Sequence, residues 1–174
     1  MGMLQWLSKL SGNQEKVSPK ATAACYLSGE RNNEIMHRQL ENGRNKDMKT
    51  IILKTKEFGE IKAKLLTDTA PKTCTKFWEA LPLSVNLSSW GDELYGTIPV
   101  DIDAENPREE FEIGDIAYWL QGSGFCILYG RTPASTSDKP RLISPGNHFA
   151  KIEGDASIFK GLDGLSLTIE KGEE

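Results

Sequence analysis

The chain has 174 residues, 38% of them hydrophobic and 26% charged, which suits one ordinary soluble domain with an extension. Its formal net charge of −4 argues against nucleic-acid binding, which draws affinity from a basic surplus that neutralises phosphates. Cys25, Cys74 and Cys126 share no CxxC spacing, so neither a disulfide framework nor a zinc cage is expected; with no apolar stretch long enough for a signal peptide or membrane span, a reduced cytoplasmic protein is.

Residues 1–47 are polar and without sustained periodicity, with seven basic and five acidic side chains, and predict a poorly ordered extension. Within it "QWLSKL" can form one amphipathic turn, with Leu4, Leu7 and Leu10 on one side, which makes a protein partner recruited through residues 1–47 one reading of the segment. The folded domain is expected over residues 48–174. It opens with a hairpin: "TIILK" and "EIKAKLL" alternate with period two around the glycine-containing "KEFGE". A helix follows over Pro71 to Leu81, with Thr67, Asp68 and Thr69 as candidate N-caps, Pro71 in the first turn, Pro82 as the stop, and Phe77 and Trp78 turned to the core. After it come short strands, "ELYGTIPV", "EIGDIAYWL", "GFCILYG", "HFAKIEG" and "LSLTIEK". No alternation of strands and helices appears, so the fold class is mainly β, a closed barrel or sandwich with a helical plug.

Three stretches invite chemical readings. "GDIAYWLQGSGFCILYGRTP" looks at first like a phosphate loop, but five residues separate Gly124 from Gly130, Arg131 stands where lysine is required, and no helix follows. It is better read as a hairpin turned by Gly122 and Gly124, with Phe125, Ile127 and Tyr129 on one face of the second strand and Cys126 and Leu128 on the other. "DIDAENPREEFE" places acidic residues at EF-hand positions, yet Asn106 replaces the turn glycine and precedes Pro107, which favours an extended residue; a solvated acidic loop is expected, and no metal. His148 is the only histidine after residue 47, so pairing it with Ser144 or Cys126 is the remaining route to a nucleophilic centre.

The ordered blocks "TAPKTCTKFWEALPL", "WGDELYGTIPV", "EIGDIAYWLQGSGFCILYGRTP" and "SPGNHFAKIEGD" resemble the small prokaryotic cyclophilin-like family, from Met48 to the C-terminus. That resemblance implies a closed eight-stranded antiparallel β-barrel with one or two capping helices. It also implies a groove on the barrel wall where peptidyl-prolyl isomerases hold a proline ring while an arginine polarises the prolyl nitrogen. The segment matching their Phe-His-Arg, "ELYGTIP", has no arginine; Gly124 stands for their groove glutamine and Cys126 for a pocket phenylalanine. Their tryptophan and histidine fall near Arg141 and Gly146. The expectation is therefore a protein that binds a peptide, prolyl or otherwise, or a small molecule, with weak or absent isomerase activity and no cofactor. Trp90, Tyr95, Trp119, Phe125 and Cys126 would form the binding site, with Arg131, Arg141 and Tyr95 as catalytic candidates.

Overall fold

The computed structural model describes residues 49–172, so the readings of residues 1–47, the "QWLSKL" turn and Cys25 among them, lie outside the described residues. The expected hairpin is formed by β1 (Thr50–Thr55) and β2 (Gly59–Leu65), in register from Thr50 opposite Lys64 to Thr55 opposite Gly59. Period-two alternation sends Ile51, Leu53, Ala63 and Leu65 inward, where each is all but inaccessible. Helix α1 (Pro71–Ala80) follows, then β3 (Leu83–Ser89), β4 (Glu93–Thr97), β5 (Arg108–Glu110), β6 (Asp115–Trp119), β7 (Gly124–Leu128), β8 (Arg141–Ile152) and β9 (Leu165–Lys171).

The strands join in the order β2-β1-β9-β3-β4-β7-β6-β8, and β8 returns to β2, closing an eight-stranded antiparallel barrel. Closure leaves no open edge among these eight. β5 stays outside the ring, paired only with the first half of β8. Helix α1 plugs one end through Phe77, whose ring lies 4.8 Å from that of Phe149 and 5.7 Å from that of Phe125. A short 3₁₀ turn, Ala156–Phe159, supplies the other plug, with Phe159 set 5.3 Å from Phe58 and 6.1 Å from Tyr129. Phe77 is core as expected, whereas Trp78 is only half-buried, its ring covered by Lys49 and Lys171.

Four local expectations need correction. The helix is not capped by Thr67, Asp68 or Thr69: Ala70 is the N-cap and makes no side-chain bond, and Glu105 reaches in from the acidic loop to accept from the N–H groups of Lys72 and Thr73 and from the Thr73 hydroxyl. A carboxylate there satisfies orphan donors and sits at the positive end of the helix dipole. The acidic stretch is thus partly ordered, with Arg108–Glu110 forming β5. Asn106 has φ of +50°, a left-handed conformation that asparagine tolerates, in place of the extended one expected before proline. The strand β3 and the first half of β8 were not expected; both interleave apolar residues with serine, asparagine or glycine.

Outside the barrel wall lies a second, smaller apolar cluster of Phe111, Ala117, Cys126, Leu128 and Leu142, with Trp119 against it. It exists because the outer faces of β6 and β7 also carry apolar residues, Ala117 and Trp119 on one and Cys126 and Leu128 on the other. The outer face of that wall carries the candidate site.

Candidate functional site

Strand β4 sends Leu94 into the barrel and leaves Glu93, Tyr95 and Thr97 on the outer face. Opposite them on β7 stand Leu128, Cys126 and Gly124, and opposite Cys126 and Gly124 on β6 stand Ala117 and Trp119. Trp90 precedes β4 in a turn closed by its own N–H donating to the Glu93 carbonyl at 2.8 Å. Gly91, at φ +65°, lets that turn press on the chain at Arg131–Pro133: a Cβ there would sit 2.8 Å from Pro133 Cδ. Leu142 and Ile143, from the first half of β8, complete a cavity of about 240 Å³ lined by Trp90, Glu93, Tyr95, Trp119, Leu142 and Ile143.

The loop between β6 and β7 orients Trp119. Its indole lies over the loop so closely that a Cβ on Gly122 would be 2.2 Å from Cζ3, and one on Gly124 3.2 Å from Cε3. Its Nε1–H donates to Ser144 Oγ at 2.7 Å. The turn spans residues 120–123, Gly122 among them as expected, but its positive φ, +44°, falls on Ser123, and Gly124 already opens β7. These two glycines are the floor on which an aromatic wall of the cavity rests.

Among the described residues that line the cavity, Glu93 is the only ionisable acid or base besides the phenol of Tyr95. It is 4% exposed, and among the described residues its Oε2 has no hydrogen-bond partner. Burial pushes its carboxyl up to about 7, against a smaller opposing effect of the neighbouring Cys126 thiol. Burial also pushes the Cys126 thiol well up, so Cys126 stays protonated and un-nucleophilic.

A second buried carboxylate shows what a satisfied one looks like. Asp115, 1% exposed, lies 3.1 Å from Arg108 Nη2, 3.1 Å from Lys151 Nζ and 3.2 Å from His148 Nε2, and accepts from the Glu112 N–H. Burial works to raise its pKa, but His148, the Glu112 N–H and Lys151 together hold it below the usual aspartate value. The His148 ring nitrogens thus face Asp115 and Arg108, while Ser144 is engaged by Trp119 and Cys126 by burial. No nucleophile–base pair forms among them. A wider cleft of about 430 Å³ runs beside the start of α1 and Ile102–Glu105. The carboxylate of Glu105 already occupies the helix N-terminus there.

A family model described as cyclophilin-like matches residues 49–170. The chain belongs to the cyclophilin-like family. The solution structure of a hypothetical protein from Archaeoglobus fulgidus is similar at 30% identity and a TM-score of 0.61, covering 72% of this chain and 95% of that one. No match was found among curated proteins.

Within this cyclophilin-like barrel the expected site residues divide into groups. Trp90, Tyr95 and Trp119 line one cavity. Cys126 lies in the outer cluster, on the strand beside Tyr95, and Phe125 points into the barrel interior. Arg131 pairs with Asp138 at 3.7 Å in the open, and Arg141 is bound to Glu109. Neither arginine lines the cavity. Glu93, Leu142 and Ile143 were not singled out from the sequence. For Glu93 a signal existed: in "DELYGT" it shares the face of Tyr95, an acidic residue on a side whose neighbours are aromatic and aliphatic. Among the described residues no helix is long and apolar enough to cross a membrane.

Proposed function

We propose that this cyclophilin-like protein binds a small molecule or a single peptide side chain in the cavity beside Trp90, Tyr95 and Trp119, with weak or absent prolyl isomerase activity. One observation carries the reading: three aromatic side chains, two from the β3–β4 hairpin and one from β6, converge on one concave site around a buried polar group. Such a combination of apolar wall and few polar groups is the usual make-up of ligand sites. At about 240 Å³ the cavity suits a side-chain-sized group better than a folded peptide segment.

Isomerase catalysis requires lowering a barrier of about 18–20 kcal/mol by favouring the twisted amide over the planar one. A guanidinium at the prolyl nitrogen serves that end in the resemblance described above, and the cavity lining has none. Buried free thiols at Cys74 and Cys126 support placing the protein in a reducing compartment such as the cytoplasm.

The test joins a binding and a rate measurement. Indole N–H cross-peaks of Trp90 and Trp119 should shift on adding small peptides or amines, while exchange spectroscopy on an Ala-Pro peptide should show no rate above background. A catalysed rate abolished by Arg131→Ala or Arg141→Ala would overturn the assignment in favour of an active isomerase.

A further inference from the structure

Glu93 and Asp115 form a natural comparison. Both carboxylates are at least nine-tenths buried on the outer wall of the barrel. Asp115 is surrounded by Arg108, His148 and Lys151 from its own chain. Among the described residues, none of the ion pairs involves Glu93, and its Oε2 is left without a donor. An unmet acceptor at such depth forfeits the hydrogen bond that would offset its desolvation. What it lacks is a donor, and the cavity into which the residue opens is where a donor can arrive.

The walls narrow the chemistry of that donor. Trp90, Trp119 and Tyr95 contribute aromatic rings to the lining, and the π face of such a ring carries negative potential and attracts cations, most strongly where water is excluded. An anion would meet the carboxylate and the rings together and be repelled by both. A purely apolar group would fill the space but leave Oε2 unpaired. Leu142 and Ile143 supply an aliphatic side against which an alkyl stem can lie.

Resting on the binding role proposed above, we infer that the cavity is a receptor for a protonated alkylamine, its ammonium set against the rings of Trp90, Tyr95 and Trp119 with an N–H donating to Glu93, and its methylenes lying along Leu142 and Ile143. The free amine of a small metabolite and the ammonium of a lysine side chain share this chemistry. A carboxyl that burial has raised to about 7 is drawn back to its ionised form when the cation arrives, so occupancy and ionisation reinforce one another.

The experiment uses the full chain at about pH 8, following the indole cross-peaks of Trp90 and Trp119. The probes are butylammonium, N-acetyl-lysine amide, its apolar counterpart N-acetyl-norleucine amide, and an acetylated Ala-Pro amide. Butylammonium or the lysine amide should bind about tenfold or more tightly than the norleucine and prolyl probes. Glu93→Gln, which keeps the side-chain shape, should weaken amine binding about tenfold or more while its Trp119 cross-peak stays in place as a check of folding. Tyr95→Leu, at the cavity's exposed rim, should weaken it several-fold. Tighter binding of the lysine amide than of butylammonium would identify a protein partner as the source of the amine, and the reverse a free metabolite. If the norleucine or prolyl probe binds as well as the amines and Glu93→Gln changes nothing, the amine assignment falls while the ligand-binding role stands. If no probe moves either indole, both fall.

Discussion

Replacing Glu93 by Gln is expected to stabilise the barrel at about pH 8 and to leave it nearly unchanged at about pH 4.5. The carboxyl titrates near 7 in the folded chain and at the ordinary glutamate value of 4.5 when unfolded. Between those values the folded state holds a proton that the unfolded state has released, so wild-type stability declines as pH rises through the interval. Above the folded value both states are ionised and the penalty is complete. The gap, at about 1.4 kcal/mol per pH unit, amounts to about 3 kcal/mol. Glutamine does not titrate, so the difference between the two proteins isolates this one group. Cys126, pushed well up by burial, stays neutral throughout, and the contribution of Asp115 cancels in the subtraction. Urea unfolding followed by tryptophan fluorescence across about pH 4.5–8 measures the difference. A difference that is flat with pH, or a glutamine variant that is less stable at about pH 8, would refute the claim that Glu93 is buried without a charged partner.

Three further outcomes follow from the geometry. Asp115→Asn removes the charge that Arg108, His148 and Lys151 converge on and should cost about 2–3 kcal/mol near neutral pH. Since the folded pKa of Asp115 is depressed, its contribution is present above the ordinary value of 3.8 and lost as pH falls through the folded one, so acid unfolding curves of variant and wild type should converge. Gly122→Ala drives a methyl into the Trp119 ring and should cost about 1–3 kcal/mol and shift the Trp119 indole N–H as its bond to Ser144 loosens, read from urea melts and one cross-peak. Glu105→Ala uncaps α1 and should cost about 1–2 kcal/mol, with faster amide exchange at Lys72 and Thr73.

The barrel was legible wherever alternation was clean. "EIKAKLL" announces β2 because lysines punctuate its inward residues, and "GFCILYG" yields both faces of β7 because each is apolar for its own reason. Legibility failed where tertiary partners replace local signals. "LSVNLSS" reads as a loop until it is paired with β9, and Arg108–Glu110 is a strand only because β8 runs beside it. The helix begins at Pro71 as expected, but its cap was not legible for the same reason, the carboxylate that accepts from its first N–H groups lying far along the chain at Glu105. In the site, Trp90, Tyr95 and Trp119 stand out as aromatics on barrel strands and turns. Glu93 does not, since its identity leaves open whether the side chain is solvated or sealed, and only its place on the face of Tyr95 hints at the second.

Strand β8 has two lives along its length. Residues 146–152 form a stave of the closed ring, paired with β6 and β2, while the stretch from Arg141 pairs only with the short β5 outside it. The barrel therefore closes without help from the segment that contributes Leu142 and Ile143 to the cavity wall. Exposed positions there can drift in sequence with little effect on folding, and each change alters what the cavity accepts. Such a division separates the residues that close the ring from those that shape the cavity mouth.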